Sequence, residues 1–312
     1  MSDLRVNMIV YHPRMPEWGP GKILALDKSV ATIYFRDVDE EKAGDAIKRI
    51  DLDHVGLQVA QSQSEPMLDH LPPYQEGKFP LSRPRLTLAR AIEAFFRRFP
   101  RGFEDPEYLD LKSGERDYKL KAHRVWTDSL GGGRGKTLLE QGAITEVVNR
   151  ALAVDGLLNL LSPYEKMALR DGLKDHAAAA RFFRGLFSVL DAGRQSRETF
   201  EPYIQALSSL PAQEGRARVA TWPILTQFPF IAHPDRHMLL KPEISQNCAE
   251  ILAFDLEYSA TLNWPTYSRL MEMSTILMTH LGPRGARDFI DIQSFMWVIA
   301  RLAEGTYGRA KS

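Results

Sequence analysis

The stretch Leu130–Gln141, LGGGRGKTLLEQ, ends its glycine run with Gly135, Lys136 and Thr137, the GKT that closes a phosphate-binding loop. Such a loop needs GxxxxGK[ST], so that successive backbone N–H groups face the phosphates, and it must follow a buried strand. Here Leu130 occupies the place of the first glycine, and Gly131 lies one residue too close, which shortens the anion nest. The preceding ERDYKLKAHRVWTDS repeats Tyr118, Ala122, Val125 and Trp126 with a helical period, and no apolar strand ending in Asp offers a magnesium site. The pattern predicts a glycine-rich connection between two helices, not a nucleotide site.

Two other constellations have the right residue types. His233, His237 and Cys248 carry part of a zinc spacing, but a structural site takes four ligands and the chain holds a single sulfur, so Asp235 or Glu243 would have to complete it. The plainer reading is a turn bracketed by Pro234 and Pro242, with the histidines at the surface or in packing. Asp105, Asp110 and Lys112 resemble the carboxylate pair and lysine with which metal-dependent nucleases hold magnesium and polarise water, and such an enzyme would bring Asp105, Asp110 or Asp288 into one cleft. Those sites sit on strands that this region does not offer, and mixed acids and bases usually mark a solvated face. There is no G-x-S-x-G elbow or HExxH helix. No catalytic residue, metal or cofactor is assigned on these grounds, and Cys248 reads as a small buried hydrophobe.

What remains is binding. His12, Trp18, Tyr34 and Phe35 lie near loops or strand ends, with Arg14 beside them, and flat rings give contact area at small entropic cost. Tyr34 and Phe35 must point to opposite faces of one strand, so at least one belongs to the core; Trp18, inside a proline-rich turn, is the leading partner-binding candidate. Between Leu81 and Lys136 there are 13 basic against 8 acidic residues. Arg97, Arg98, Lys119, Lys121, Arg124, Arg134 and Lys136 are therefore candidates for a phosphate-contacting patch, with an ordinary charged face as the alternative.

The elements that must position these residues follow from periodicity. Val6, Met8 and Val10 alternate with Asn7 and Ile9, and KILALD and Val30 to Phe35 are short strands, implying a small barrel or curled sheet cored by Val10, Ile23, Ile33 and Phe35. Residues 58–84, rich in Pro, Ser and Gln, read as a linker or an extended wrap. Beyond residue 85 the signal is helical: Leu88, Ile92, Phe95 and Phe99 make one stripe, Ser162-Pro163-Tyr164-Glu165 is a capping box, and Asp288 or Asp291 caps an apolar last helix. The segment VATWPILTQFPFIA, with Pro223 and Pro229, reads as a broken, buried helix.

The pattern VYHPRMPEWGPGKILALDKSVATIYFRDVDEEKAGDAIKRIDL resembles an uncharacterised bacterial domain related to the Tudor-like, SH3-fold tail of UvrD and PcrA helicases, and more loosely the polymerase-binding module of CarD-type transcription factors. The shared features are a first strand ending in His-Pro, then WGPG, then two strands with a terminal aromatic pair; an acidic insertion, RDVDEEKAGD, departs from the helicase tail. The resemblance implies a small barrel that recognises a partner in DNA or transcription processes, RNA polymerase or a DNA-processing complex among them. The expected fold is thus multidomain and mostly α: an SH3/Tudor-like β-barrel (1–57), a linker or wrap (58–84) and an irregular α-helical domain (85–312).

Composition bounds the rest. Forty basic and forty acidic side chains cancel, so any contact with nucleic acid needs a local patch. One cysteine excludes an internal disulfide and points to a reducing, cytoplasmic setting. The first residues do not read as a signal peptide, and no segment reaches the roughly 18 apolar residues of a membrane span. The expected activity is that of a non-enzymatic adaptor binding a protein, with nucleic acid as a further partner; a nuclease or nuclease subunit is the alternative.

Overall fold

Alternating apolar residues build the N-terminal sheet. In the computed structural model, which describes residues 4–110, 114–212 and 218–303, the strands are β1 Ile9–Tyr11, β2 Pro20–Asp27, β3 Val30–Phe35, β4 Ile47–Asp51 and β5 Gln58–Val59. They form one antiparallel sheet in the order β4-β3-β2-β1-β5, and no pairing among the described residues joins β4 to β5. The sheet is therefore open, and the expected closed barrel is not what the pairings make. The first strand is also shorter than its alternation suggests: Asn7 turns at φ 72°, donates its N–H to the Ile23 carbonyl, and leaves Val6 exposed.

Both faces of the sheet are covered. Val10, Ile23, Ile33 and Phe35 are fully buried, as the alternation predicts. The stretch 58–84 lies against the sheet in several places. Gln63 Oε1 accepts from Ile9 N–H at 2.9 Å, Lys22 Nζ donates to the Leu68 carbonyl at 3.0 Å, and Arg36 pairs with Glu65 at 2.7 Å. Leu68 and Phe79 are buried in the sheet's own cluster, each contributing roughly 2 kcal/mol of apolar burial.

Contacts divide the chain into two compact units. One contains the described residues of 1–98, 246–256 and 298–312; the other contains those of 99–245 and 257–297. The helices of the first stretch are α1 Glu40–Ala43, α2 Pro66–Asp69 and α3 Leu88–Arg98. The remainder are α4 Pro106–Leu109, α5 Asp117–Ser129, α6 Arg134–Glu140, α7 Ile144–Gly156, α8 Pro163–Gly172, α9 His176–Asp191, α10 Arg197–Ser208, α11 Trp222–Ala232, α12 Pro242–Ile251, α13 Trp264–Leu281 and α14 Phe289–Ala303. About 53% of the described residues are helical.

Within the larger unit α9 packs against α6, α7, α10 and α11, and its Phe182, Phe183 and Phe187 join Trp126, Tyr203 and Phe228 in a continuous ring cluster. Every residue of α11 is buried, and the helix runs through Pro229 unbroken. A proline removes the N–H owed to the carbonyl four residues back. Here the Tyr203 hydroxyl donates to that Leu225 carbonyl at 3.0 Å, so the helix need not break. The Ser162–Glu165 capping box is present at the start of α8, and at the start of α14 Asp288 accepts from Ile290 N–H at 3.0 Å.

A buried ionic cluster ties α4, α5 and α14 in this unit. Arg116 forks onto Asp288 with two 2.7 Å bonds and reaches Asp291 at 2.8 Å; Tyr108 donates its hydroxyl to Asp291, and Arg287 closes the group at 3.0 Å. Lys119 lies one turn away with no exposed surface, donating to Gln293 Oε1 at 2.6 Å and Ser294 Oγ at 3.2 Å, with Glu115 at 3.7 Å.

Candidate functional site: an aromatic cluster on the sheet

Trp18 ends a short 3-10 turn, Pro16–Trp18, that the proline starts and Gly19 stops. Gly19 takes φ 67°, and a Cβ there would fall 2.1 Å from Asp37 Oδ2, so glycine is needed where the turn meets the end of β3. The Trp18 carbonyl accepts from Asp37 N–H at 3.0 Å, which fixes the indole beside the sheet. His12, just past β1, lies with its ring 5.0 Å from Trp18, and Phe35, the last residue of β3, lies 5.1 Å from Trp18 and 6.4 Å from His12. Two strand ends and one turn thus meet in a three-ring cluster.

Its polar atoms are unequally satisfied. His12 Nδ1 accepts the Arg14 backbone N–H at 3.2 Å, which puts the ring proton on Nε2. Burial, and then the neighbouring Arg14 charge, lower the His12 pKa, so the ring is neutral at pH 7. The Lys48 ammonium stands 5.3 Å over the indole, at cation–π distance. Trp18 Nε1, by contrast, is buried and has no hydrogen-bond partner. Trp18 itself is half-buried, and Arg14 and Tyr11 are exposed.

Tyr34 does not belong to this surface. It is buried on the opposite face of β3, with the Phe79 ring 5.2 Å away and the Arg85 guanidinium 5.3 Å from its centroid, and burial pushes its hydroxyl up to about 12. Period two required one core residue of the pair; the covering segment makes both core.

The proposed basic patch loses a member as well. Lys119 is an interior residue, because its stem lies in the helical core and its ammonium finds Gln293 and Ser294 there. Lys136 is paired with Asp191 at 3.2 Å, and Arg134 donates to the Thr127 carbonyl. Lys121 and Arg124 are exposed one turn apart on α5, and Arg97 and Arg98 end α3, in the other unit.

The glycine-rich run 130–133 is the turn between α5 and α6, and the GKT residues lie in the first turn of α6. The N–H groups of Gly131, Arg134, Gly135 and Thr137 all donate to nearby backbone carbonyls, at 2.9–3.2 Å, so they are not aimed at an anion. Gly135 is buried, and a Cβ there would fall 2.3 Å from Phe187 Cζ; the glycine of the apparent motif serves helix packing.

The other constellations resolve into structural roles. His237 is buried, with Nδ1 accepting from the Tyr267 hydroxyl at 3.1 Å and facing the Gln195 amide at 3.2 Å, and burial holds its pKa near 3. Cys248 is buried, its thiol pushed up to about 12 by desolvation. Asp105 caps α4 and accepts from Glu107 N–H and Arg101 N–H at 3.0 and 3.1 Å, while Asp288 and Asp291 face arginines. Lys112 lies outside the described residues. Among the described residues no group of three or more His, Cys, Asp or Glu is arranged to hold a metal ion.

Sequence reasoning named His12 and Trp18 but missed Lys48, which reaches the indole from β4 through sheet order alone. It also missed His123 and Asp191, which lie beside the glycine turn only because α5, α9 and the end of α11 converge. No local signal marks either.

Fold and site define a mostly helical protein with a small open antiparallel sheet whose turn carries an aromatic cluster in which Trp18 is half-buried, while His12, expected at a partner surface, is buried beneath it with Phe35. Compared with family models, with curated proteins and with solved structures, the chain matches none of them. Among the described residues no helix is long and apolar enough to cross a membrane.

Proposed function

We propose that this chain is a non-enzymatic binding adaptor whose N-terminal sheet, read as an SH3/Tudor-like module, recognises a protein segment through Trp18, which the buried rings of His12 and Phe35 support from beneath, with Arg14 at its rim. The setting in bacterial DNA or transcription processes, in the cytoplasm, comes from the resemblance to the helicase tails and CarD-type modules, and RNA polymerase or a DNA-processing complex is the partner it suggests. The observation that carries the reading is the Trp18 indole N–H, a buried donor left without an acceptor on a half-buried ring. An unmet donor costs about 1–3 kcal/mol, and a partner carbonyl recovers it once the Pro16–Trp18 turn shifts to uncover the N–H. No observation favours the nuclease reading, since Asp105, Asp288 and Asp291 are engaged in a cap and ion pairs.

The test is affinity capture from bacterial lysate with the full chain, its Trp18→Phe variant and its Trp18→Ala variant, quantified by mass spectrometry. The wild type is expected to enrich subunits of a transcription or DNA-processing assembly. Trp18→Phe, which keeps the ring and removes only the donor, is expected to lower their recovery by about two- to tenfold. Equal recovery by all three proteins would sink the proposal.

A further inference from the structure

Beside the glycine-rich turn, inside the helical unit, lies a pocket of about 270 Å³. Its floor is apolar, made of Trp126, Leu130, Phe187 and Leu190. A second hollow of about 630 Å³, with Arg184 and Ser188, shares Lys136, Phe187 and Asp191 with the first. Together they have the size and the mixed lining of a small-molecule site.

The polar wall decides what such a molecule would be. His123 donates Nδ1–H to the Ile231 carbonyl at 2.7 Å, which leaves Nε2 as a hydrogen-bond acceptor. His233 is half-buried and its pKa is lowered, first by desolvation and then by Arg236, so it adds no positive charge at pH 7. Lys136 and Asp191 meet at 3.2 Å with more than half of each side chain exposed, a pair that stabilises little and that a ligand charge can exchange. Gly132 and Gly133, both at positive φ and exposed, line the same pocket, and their N–H groups take no part in the turn's hydrogen bonds. In the first pocket Asp191 is the acidic lining residue against Lys136 and two glycine N–H groups, and in the second hollow Glu140 is offset by Arg184, so the donors above the aromatic rings belong to the first.

The geometry points to a binding site for a small aromatic carboxylate that carries a ring N–H: the ring on Trp126 and Phe187, the carboxylate on Lys136 and the Gly132–Gly133 amides, and the N–H on His123 Nε2. This assignment is independent of the sheet's aromatic cluster, since it rests on other residues in the other unit.

The test is calorimetric titration of the full chain with indole-3-acetate, its neutral amide and a panel of other aromatic carboxylates. The carboxylate is expected to bind saturably and about tenfold more tightly than the amide. Lys136→Glu, an exposed change that leaves the core alone, is expected to weaken the carboxylate by at least about tenfold, and Asp191→Asn, which frees Lys136, to tighten it. Equal binding of acid and amide, indifference to Lys136→Glu, or no saturable binding by any carboxylate of the panel would each overturn the assignment.

Discussion

The Arg116 cluster and the Trp18 cluster both place polar atoms out of water, and they are finished differently. Around Arg116, both terminal nitrogens meet Asp288 and Asp291, and Tyr108 and Arg287 complete Asp291; only the Arg116 Nε lacks a partner. Around Trp18, the single donor of the indole is unmet, and a lysine rests on its face. A charge network so nearly closed serves the fold, because opening it exposes buried charges to each other and to apolar surroundings. A half-buried ring with an unmet donor has something to gain from a partner. Charged residues in EDPEYLDLKSGERDYK drew attention as candidate chemistry, yet their degree of mutual satisfaction, not their type, separates scaffold from surface.

The contrast can be broken most directly at Asp291. Asp291→Ala leaves Arg116, Arg287 and Tyr108 without their shared acceptor and is expected to cost about 3–5 kcal/mol in urea unfolding. A loss below about 1 kcal/mol would show that the network is not what holds α4, α5 and α14. Next in size is Gly135→Ala, expected to destabilise by about 1–3 kcal/mol because the new methyl overlaps Phe187. Were the glycine kept for phosphate instead, the variant would unfold like the wild type while a phosphate-dependent thermal shift disappeared.

Lys119 sharpens the scaffold side through pH. Burial, assisted by Lys241 and Arg116 and opposed by Glu115 and Asp291, lowers its pKa from 10.5 to about 8. Between those values the unfolded chain binds more protons than the folded one, so this residue makes stability rise with pH from about 8 towards 10.5; below 8 both states are protonated and the cost is constant. Unfolding free energies measured at pH 7.5 and 9.5 should show that rise in the wild type and not in Lys119→Met. The smallest expected effect is Trp18→Phe on stability: the gain from removing an unpaired donor is offset by the packing lost with the smaller ring, so unfolding should change by less than about 1 kcal/mol. A larger loss would put Trp18 with the scaffold.

Much of the helical part is legible in local chemistry. A capping box needs only Ser162 and Glu165 in register, and an amphipathic stripe needs only Leu88, Ile92 and Phe95 at helical spacing, so each was readable within one element. The buried α11 was readable too, but its continuity through Pro229 was not, because the replacement hydrogen bond comes from Tyr203 on α10. Tyr34 failed as a surface residue for a similar reason: its cover is Phe79, from a stretch whose composition says only linker or wrap, and Arg85, just beyond that stretch.

By itself the sequence determined the short strands with Val10, Ile23, Ile33 and Phe35 inward, the helical remainder with its caps, and the failure of GKT as a phosphate loop, since all of these are set by spacing along the chain. The tertiary structure alone decided that the sheet stays open, that Lys119 is interior, that Lys48 covers Trp18, and that His123 and Asp191 line one pocket. Those outcomes depend on which distant side chains meet and what each finds to pair with, and pairing across elements leaves no mark on the local pattern.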